Sequence, residues 1–65
     1  MNHTSLSPKT HLSMAAEFNM SPRLFSSKIK QLNIPNGDIM PKHQKMIYEL
    51  LGYTSKAKRE WYADV

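Results

Sequence analysis

The sequence predicts a small all-α bundle of three to four short helices. Three observations carry that prediction. Apolar residues recur at helical spacing in three separate stretches and more loosely in a fourth. Between the stretches stand residues that stop or start helices: Asn19, Ser21-Pro22, Pro35 to Gly37, Pro41 and Gly52. The one strand-like feature is Ile34 and Ile39 on either side of the Pro35-to-Asp38 turn, and those flanks suffice for little more than the tip of a hairpin.

The elements follow in order. Residues 1–9 are polar, lack apolar periodicity and are expected to form a flexible N-terminal arm, dispensable for folding. From Thr10, Leu12, Met14, Ala15 and Phe18 mark one face of a short helix, with Thr10 or Ser13 as its cap. Asn19 tolerates the left-handed conformation at which helices stop. Ser21 is a strong N-cap, and Pro22 fits the first helical position, where its missing N–H costs nothing. A second helix then runs from Pro22 to about Asn33, with Phe25, Ile29 and Leu32 inward and Leu24 completing the core beside them. Pro41 opens a third helix with Ile47, Leu50 and Leu51 inward, and Gly52 closes it. These elements define a core over residues 10–53. Residues 54–65 are expected to add an amphipathic helix or tail that docks Trp61 as a lid.

Composition narrows the function. A chain of 65 residues buries about 60% of its unfolded surface, leaving a thin core in which a deep catalytic pocket is hard to build. There is no cysteine, which removes disulfides, thiolate zinc sites and thiol nucleophiles together. His3, His11 and His43 are too scattered for a metal cage, with His3 and His11 facing solvent. No Gly-rich phosphate loop, catalytic triad or carboxylate pair is discernible. The expectation is a non-enzyme without cofactor or metal. No apolar run approaches a membrane span, and MNHTSLSPKTH is unlike a signal peptide, so the cytoplasm is the expected location. Nine Lys plus Arg against five Asp plus Glu give a net +4, a balance that favours anionic partners, nucleic acid first.

The stop and start around Asn19-Met20-Ser21-Pro22 has the spacing of a helix-turn-helix. Ala15 or Ala16 allows a close helix crossing, Asn19 accepts the turn, Met20 plugs the angle, and Phe25 and Ile29 pack back on the first helix. A plain helical hairpin that binds nothing meets the same four needs. The stretch AAEFNMSPRLFSSKIKQLNIP resembles the helix-turn-helix of the MerR and excisionase group, and its second half is similar to AraC-type regulators. The matching positions are Ala15, Phe18, Asn19, Met20, Ser21, Pro22, Arg23 and Phe25, and the resemblance covers about 20 residues. It implies a recognition helix over residues 21–32. The two-stranded wing of MerR proteins is reduced to the stunted turn at Pro35 to Asp38, and no effector domain or dimerisation coiled coil is present in this sequence. The resemblance therefore points to a small transcriptional or recombination accessory factor of phage or mobile-element type.

With Phe25, Ile29 and Leu32 inward, Arg23, Ser27 and Lys30 fall on the opposite face at 100° per residue, with Ser26 beside them. Arg suits a guanine edge, Ser a base or phosphate, and Lys a phosphate. Lys42, His43 and Lys45, at the start of the third helix, form a second basic group suited to phosphate. These seven residues are the candidate DNA-binding set, although a solvated helix face has the same composition. Lys56, Lys58 and Arg59 beside Trp61 and Tyr62 suit a nucleic-acid backbone or a protein surface equally. The expected partner is double-stranded DNA, bound with the help of a homodimer or a larger protein, because one such unit offers a modest interface. The alternative is a protein-binding module, a phage-type inhibitor of a host protein on the same scaffold. It would use Leu24, Met40, Met46, Tyr48, Tyr53, Trp61 and Tyr62, more apolar surface than so thin a core is expected to cover.

Overall fold

The computed structural model describes residues 6–65, and His3 and the first half of the expected arm lie outside them. Three α-helices carry the fold: α1, His11–Glu17; α2, Pro22–Ile29; and α3, Pro41–Leu51. Single 3₁₀ turns follow α2 at Lys30–Leu32 and occupy the C-terminal segment at Arg59–Tyr62. Among the described residues there is no strand, only an isolated antiparallel bridge between Lys9 and Ile39. The protein is thus mostly helical and all-α in class.

Local stereochemistry accounts for the helix ends. Thr10 caps α1 by accepting from the Ser13 N–H at 2.9 Å. Asn19 sits at φ 58°, its N–H donates to the Ala16 carbonyl, and the Met20 N–H reaches back to the Ala15 carbonyl at 2.9 Å. Those two bonds make a Schellman stop, built here on asparagine rather than glycine. Ser21 then accepts from the Leu24 N–H at 3.2 Å, and Pro22 is the first residue of α2. A second left-handed asparagine, Asn33 at φ 55°, ends the 3₁₀ turn, so α2 is one turn shorter than its apolar stripe suggests. Gly52 closes α3 at φ 100°, a conformation that strains any side chain with a Cβ.

The core comprises Met14, Ala15, Phe25, Ile29, Ile39, Ile47, Tyr48, Ala57 and Tyr62, all buried. Ala15 lets α2 cross α1, whereas Ala16 is exposed. Phe25 stacks on Phe18 with centroids 6.0 Å apart and meets His11 edge-on at 6.4 Å. His11 is therefore half-buried instead of solvent-facing. Leu12 and Leu24 were expected on the apolar face; they are 66% and 46% exposed. Leu24 falls one residue before Phe25, 100° around the helix and off the stripe.

Contacts between residues far apart in sequence overturn the expected α3 face, the hairpin and the free arm. The inward face of α3 is Gln44, Ile47 and Tyr48, while Leu50 is exposed and Leu51 half-buried. The Gln44 amide donates to the carbonyls of Ser7 and Ile39, both at 2.8 Å, and its oxygen accepts from the Tyr62 hydroxyl at 2.6 Å. The Pro35-to-Asp38 turn makes no hairpin, because Ile39 pairs with Lys9 through N–H···O bonds of 2.7 and 3.0 Å. Residues 6–9 are consequently docked, with Leu6 against the core, and only the remainder of the arm stays outside this description. At the other end, of the helix or tail expected, the chain forms the tail, an irregular segment with one 3₁₀ turn at Arg59–Tyr62. Thr54 accepts from the Lys56 N–H, which bends the chain, Tyr62 fills the core, and Trp61 is half-buried against it as the expected lid.

Glu17 joins four segments. Its carboxylate accepts from Lys9 Nζ at 2.8 Å, the Tyr48 hydroxyl at 2.6 Å and the Thr54 hydroxyl at 2.8 Å. Lys9 also donates to the Tyr48 oxygen at 2.8 Å. Burial would raise the Glu17 carboxyl, but the bonds from Lys9, Tyr48 and Thr54 and the Lys9 charge outweigh it and hold it below the usual glutamate range. Burial, reinforced by the bond to Glu17, pushes the Tyr48 hydroxyl upward. A carboxyl depressed in the folded state stabilises above its unfolded value, about 4.3, and loses that contribution as pH falls through the folded value. Thermal melts from pH 7 to pH 3 should therefore show a loss of stability setting in below about pH 4.5. Glu17→Gln should cost about 2 to 3 kcal/mol at pH 7, the scale of a hydrogen bond to a charged group, and flatten the acid limb. An acid limb unchanged in the variant would show that other carboxylates carry it.

Candidate nucleic-acid interface

The α1–α2 crossing decides what α2 presents. Once Phe25 and Ile29 are buried against α1, the opposite side of α2 must face outward; Arg23, Ser27 and Lys30 are exposed there, and Ser26 is exposed beside them. Arg23 and Ser26 follow the Ser21 cap closely, in the first two turns of α2. Lys30 leaves the α-helix and opens the 3₁₀ turn. Between Glu17 and Asp38 the sequence contains no acidic residue, while Arg23, Lys28 and Lys30 contribute three positive charges. None of the three takes part in an ion pair among the described residues, where the cations with acidic partners are Lys9 with Glu17 and Arg59 with Glu49.

The second basic group is less uniform. Lys42 is exposed, but His43 and Lys45 are half-buried. Lys45 donates to the Val65 carbonyl at 3.0 Å and flanks a depression with Glu49, Tyr53 and Glu60, apart from α2. Lys45 is therefore tied to the C-terminal segment. Ser26 and Lys30, in contrast, share one open groove with His11, Asn33 and Asn36. No family model, curated protein or solved structure matches the chain. What it binds must be argued from its own surface.

In the remaining basic-aromatic cluster Tyr62 is buried and Trp61 half-buried, while Lys56, Lys58 and Arg59 stay exposed. The Arg59 guanidinium lies 5.1 Å from the Tyr53 ring and 3.8 Å from the Glu49 carboxylate. That ion pair is exposed and contributes little. Tyr48 and Tyr62 are fully buried, and Tyr53 and Trp61 half-buried, so the apolar surface offered to a protein partner shrinks to Leu24, Met40 and Met46 from the expected set. Leu12 and Leu50 join it from positions the periodicity had placed inside. Among the described residues no group of three His, Asp or Glu side chains is placed to hold a metal, and no helix is long and apolar enough to cross a membrane. Asn33 and Asn36, outside the residues singled out from the sequence, line the same groove as Ser26 and Lys30. Their signal is the left-handed φ of Asn33, legible only as a turn preference.

Proposed function

We propose that the chain is a small sequence-specific double-stranded DNA-binding protein, in which α1 and α2 act as a helix-turn-helix and residues 21–32 read the major groove. The observation that carries this reading is the outer face of α2: exposed, cationic, free of acids from residue 18 to residue 37, and braced from behind by Phe25 and Ile29. An acid-free cationic surface on a rigid helix attracts a polyanion without an internal competitor. Arg23 supplies base reading, Ser26 and Ser27 base or phosphate contacts, and Lys30 and Lys42 phosphate contacts. A role as a transcriptional or recombination accessory factor, of the phage or mobile-element kind, fits the size and the resemblance of residues 15–35.

The test is a duplex selected from a random pool on the folded protein. Arg23→Ala should fold as well as the parent, since it removes no buried contact, and lose about 1 to 3 kcal/mol of affinity for the selected duplex. Lys30→Ala should weaken selected and scrambled duplexes alike. With about four phosphates neutralised, the log–log salt slope of the parent should be near −3.6. If both variants fold and bind as tightly as the parent, α2 is only a solvated face. The exposed Leu12, Leu24 and Met46 then become the surface to pursue with a protein partner.

A further inference from the structure

Where α2 passes into its 3₁₀ turn, the chain folds back past the start of α1 and leaves an open groove of about 270 Å³. Its rim is made of hydrogen-bond donors: the His11 ring, the Ser26 hydroxyl, the Lys30 ammonium and the amides of Asn33 and Asn36. No acidic side chain lines it. The buried Ile29 belongs to its wall, so the donors stand over apolar surface, where a hydrogen bond to a charged group is stronger than in open water. Two further features are concentrated here. Asn33 is held at φ 55°, uncommon for a residue other than glycine. Nε2 of His11 is the buried side-chain polar atom without a hydrogen-bond partner among the described residues. Nε2 has no solvent access, so it is the rest of the His11 ring that borders the groove.

We infer that this groove is a binding site for a single phosphate group, held by Lys30, Ser26, His11 and the two asparagine amides. A concave, donor-rich, acid-free wall fits a tetrahedral oxyanion, whose oxygens accept from several directions at once. A cationic ligand finds no carboxylate on this rim to pair with. The phosphate has two sources, a diester of the DNA backbone or a free phosphate compound, and only the first rests on the DNA reading above. In the first case the groove fixes the register of α2 on the duplex and carries no sequence information itself.

The experiment is an NMR titration of the full chain with inorganic phosphate and with dimethyl phosphate, against chloride at matched ionic strength. Saturable shifts are expected at the His11 ring and at the Asn33 and Asn36 side-chain amides with the phosphates, and not with chloride. A variant combining Asn33→Gly, which keeps the left-handed backbone, with Asn36→Ala should weaken phosphate about ten-fold. The same variant should weaken selected and scrambled duplexes by a similar factor while Arg23 still discriminates between them. If phosphate saturates the groove but the variant binds duplex as the parent does, the site stands and its ligand is a free phosphate compound. If phosphate saturates and no duplex binds at all, the DNA reading fails and the groove stands. Absence of saturable shifts at His11, Asn33 and Asn36 with either probe, up to tens of millimolar, overturns the site.

Discussion

Phe25→Ala is expected to leave the chain largely unfolded. The ring has no exposure, stacks on Phe18, meets His11 edge-on and shares the core with Met14 and Ala15. Truncating a buried Phe costs about 3 to 5 kcal/mol through lost transfer energy and the cavity left behind. At about 0.05 to 0.15 kcal/mol per residue, a chain of 65 residues has about 3 to 10 kcal/mol in total. The loss is therefore a large part of the whole. Circular dichroism at 25 °C should show most of the helical signal gone, and urea unfolding should begin without a native baseline. Phe25→Leu, which keeps most of the volume, should retain a cooperative transition. A Phe25→Ala variant with the parent's urea midpoint would mean that α2 does not depend on this contact.

Gln44→Leu is expected to have the second largest effect, although it replaces a polar residue by an apolar one in the core. Gln44 is fully buried and spends its whole amide on three partners. Ile39 keeps a bond from the Lys9 N–H after the change, but the buried Tyr62 hydroxyl loses its acceptor. An orphaned buried hydroxyl costs about 1 to 3 kcal/mol, and undocking of the Ser7 carbonyl adds a further fraction, for about 2 to 4 kcal/mol overall. The cause is separable. Adding Tyr62→Phe to Gln44→Leu removes the orphan, so the double variant should be more stable than Gln44→Leu alone, with a coupling of 1 kcal/mol or more in chemical denaturation. Additive effects of the two changes would show that the hydroxyl–amide bond is not what Gln44 contributes.

These two residues also mark which parts of the fold were legible in the sequence. Phe25 was, because its neighbours are set by helical period and by the Asn19, Ser21 and Pro22 signals, each a matter of one residue's stereochemistry. Gln44 was not. Nothing local distinguishes a glutamine on a solvated face from one whose amide meets a carbonyl 37 positions away. Glu17 and Tyr48 were hidden for the same reason, their bond spanning 31 positions. Periodicity alone favoured Leu50 over Gln44, since it ranks by hydropathy and has no knowledge of partners. The candidate site divides in the same manner. Arg23, Ser26, Ser27 and Lys30 follow from 100° arithmetic on one helix, and they are exposed as that arithmetic requires. The bond from Lys45 to Val65 and the meeting of His11 with Asn33 and Asn36 depend on the chain doubling back, which no window of sequence reveals.

The bridge between Lys9 and Ile39 has a consequence for the order in which the chain acquires its structure. The α1–α2 pair closes over a four-residue connection and can form as soon as residue 29 is available, in the microsecond range of local helical contacts. Lys9 must wait for Ile39 and then for Tyr48, 39 positions further on. During synthesis at about 5 to 20 residues per second, that interval is about 2 to 8 s. The segment before α1 is thus seated only after α3 has been made. Until Tyr48 and then Thr54 emerge, the carboxylate of Glu17 lacks its hydroxyl donors, and this stretch of the nascent chain is a helical pair whose preceding segment is not yet tethered.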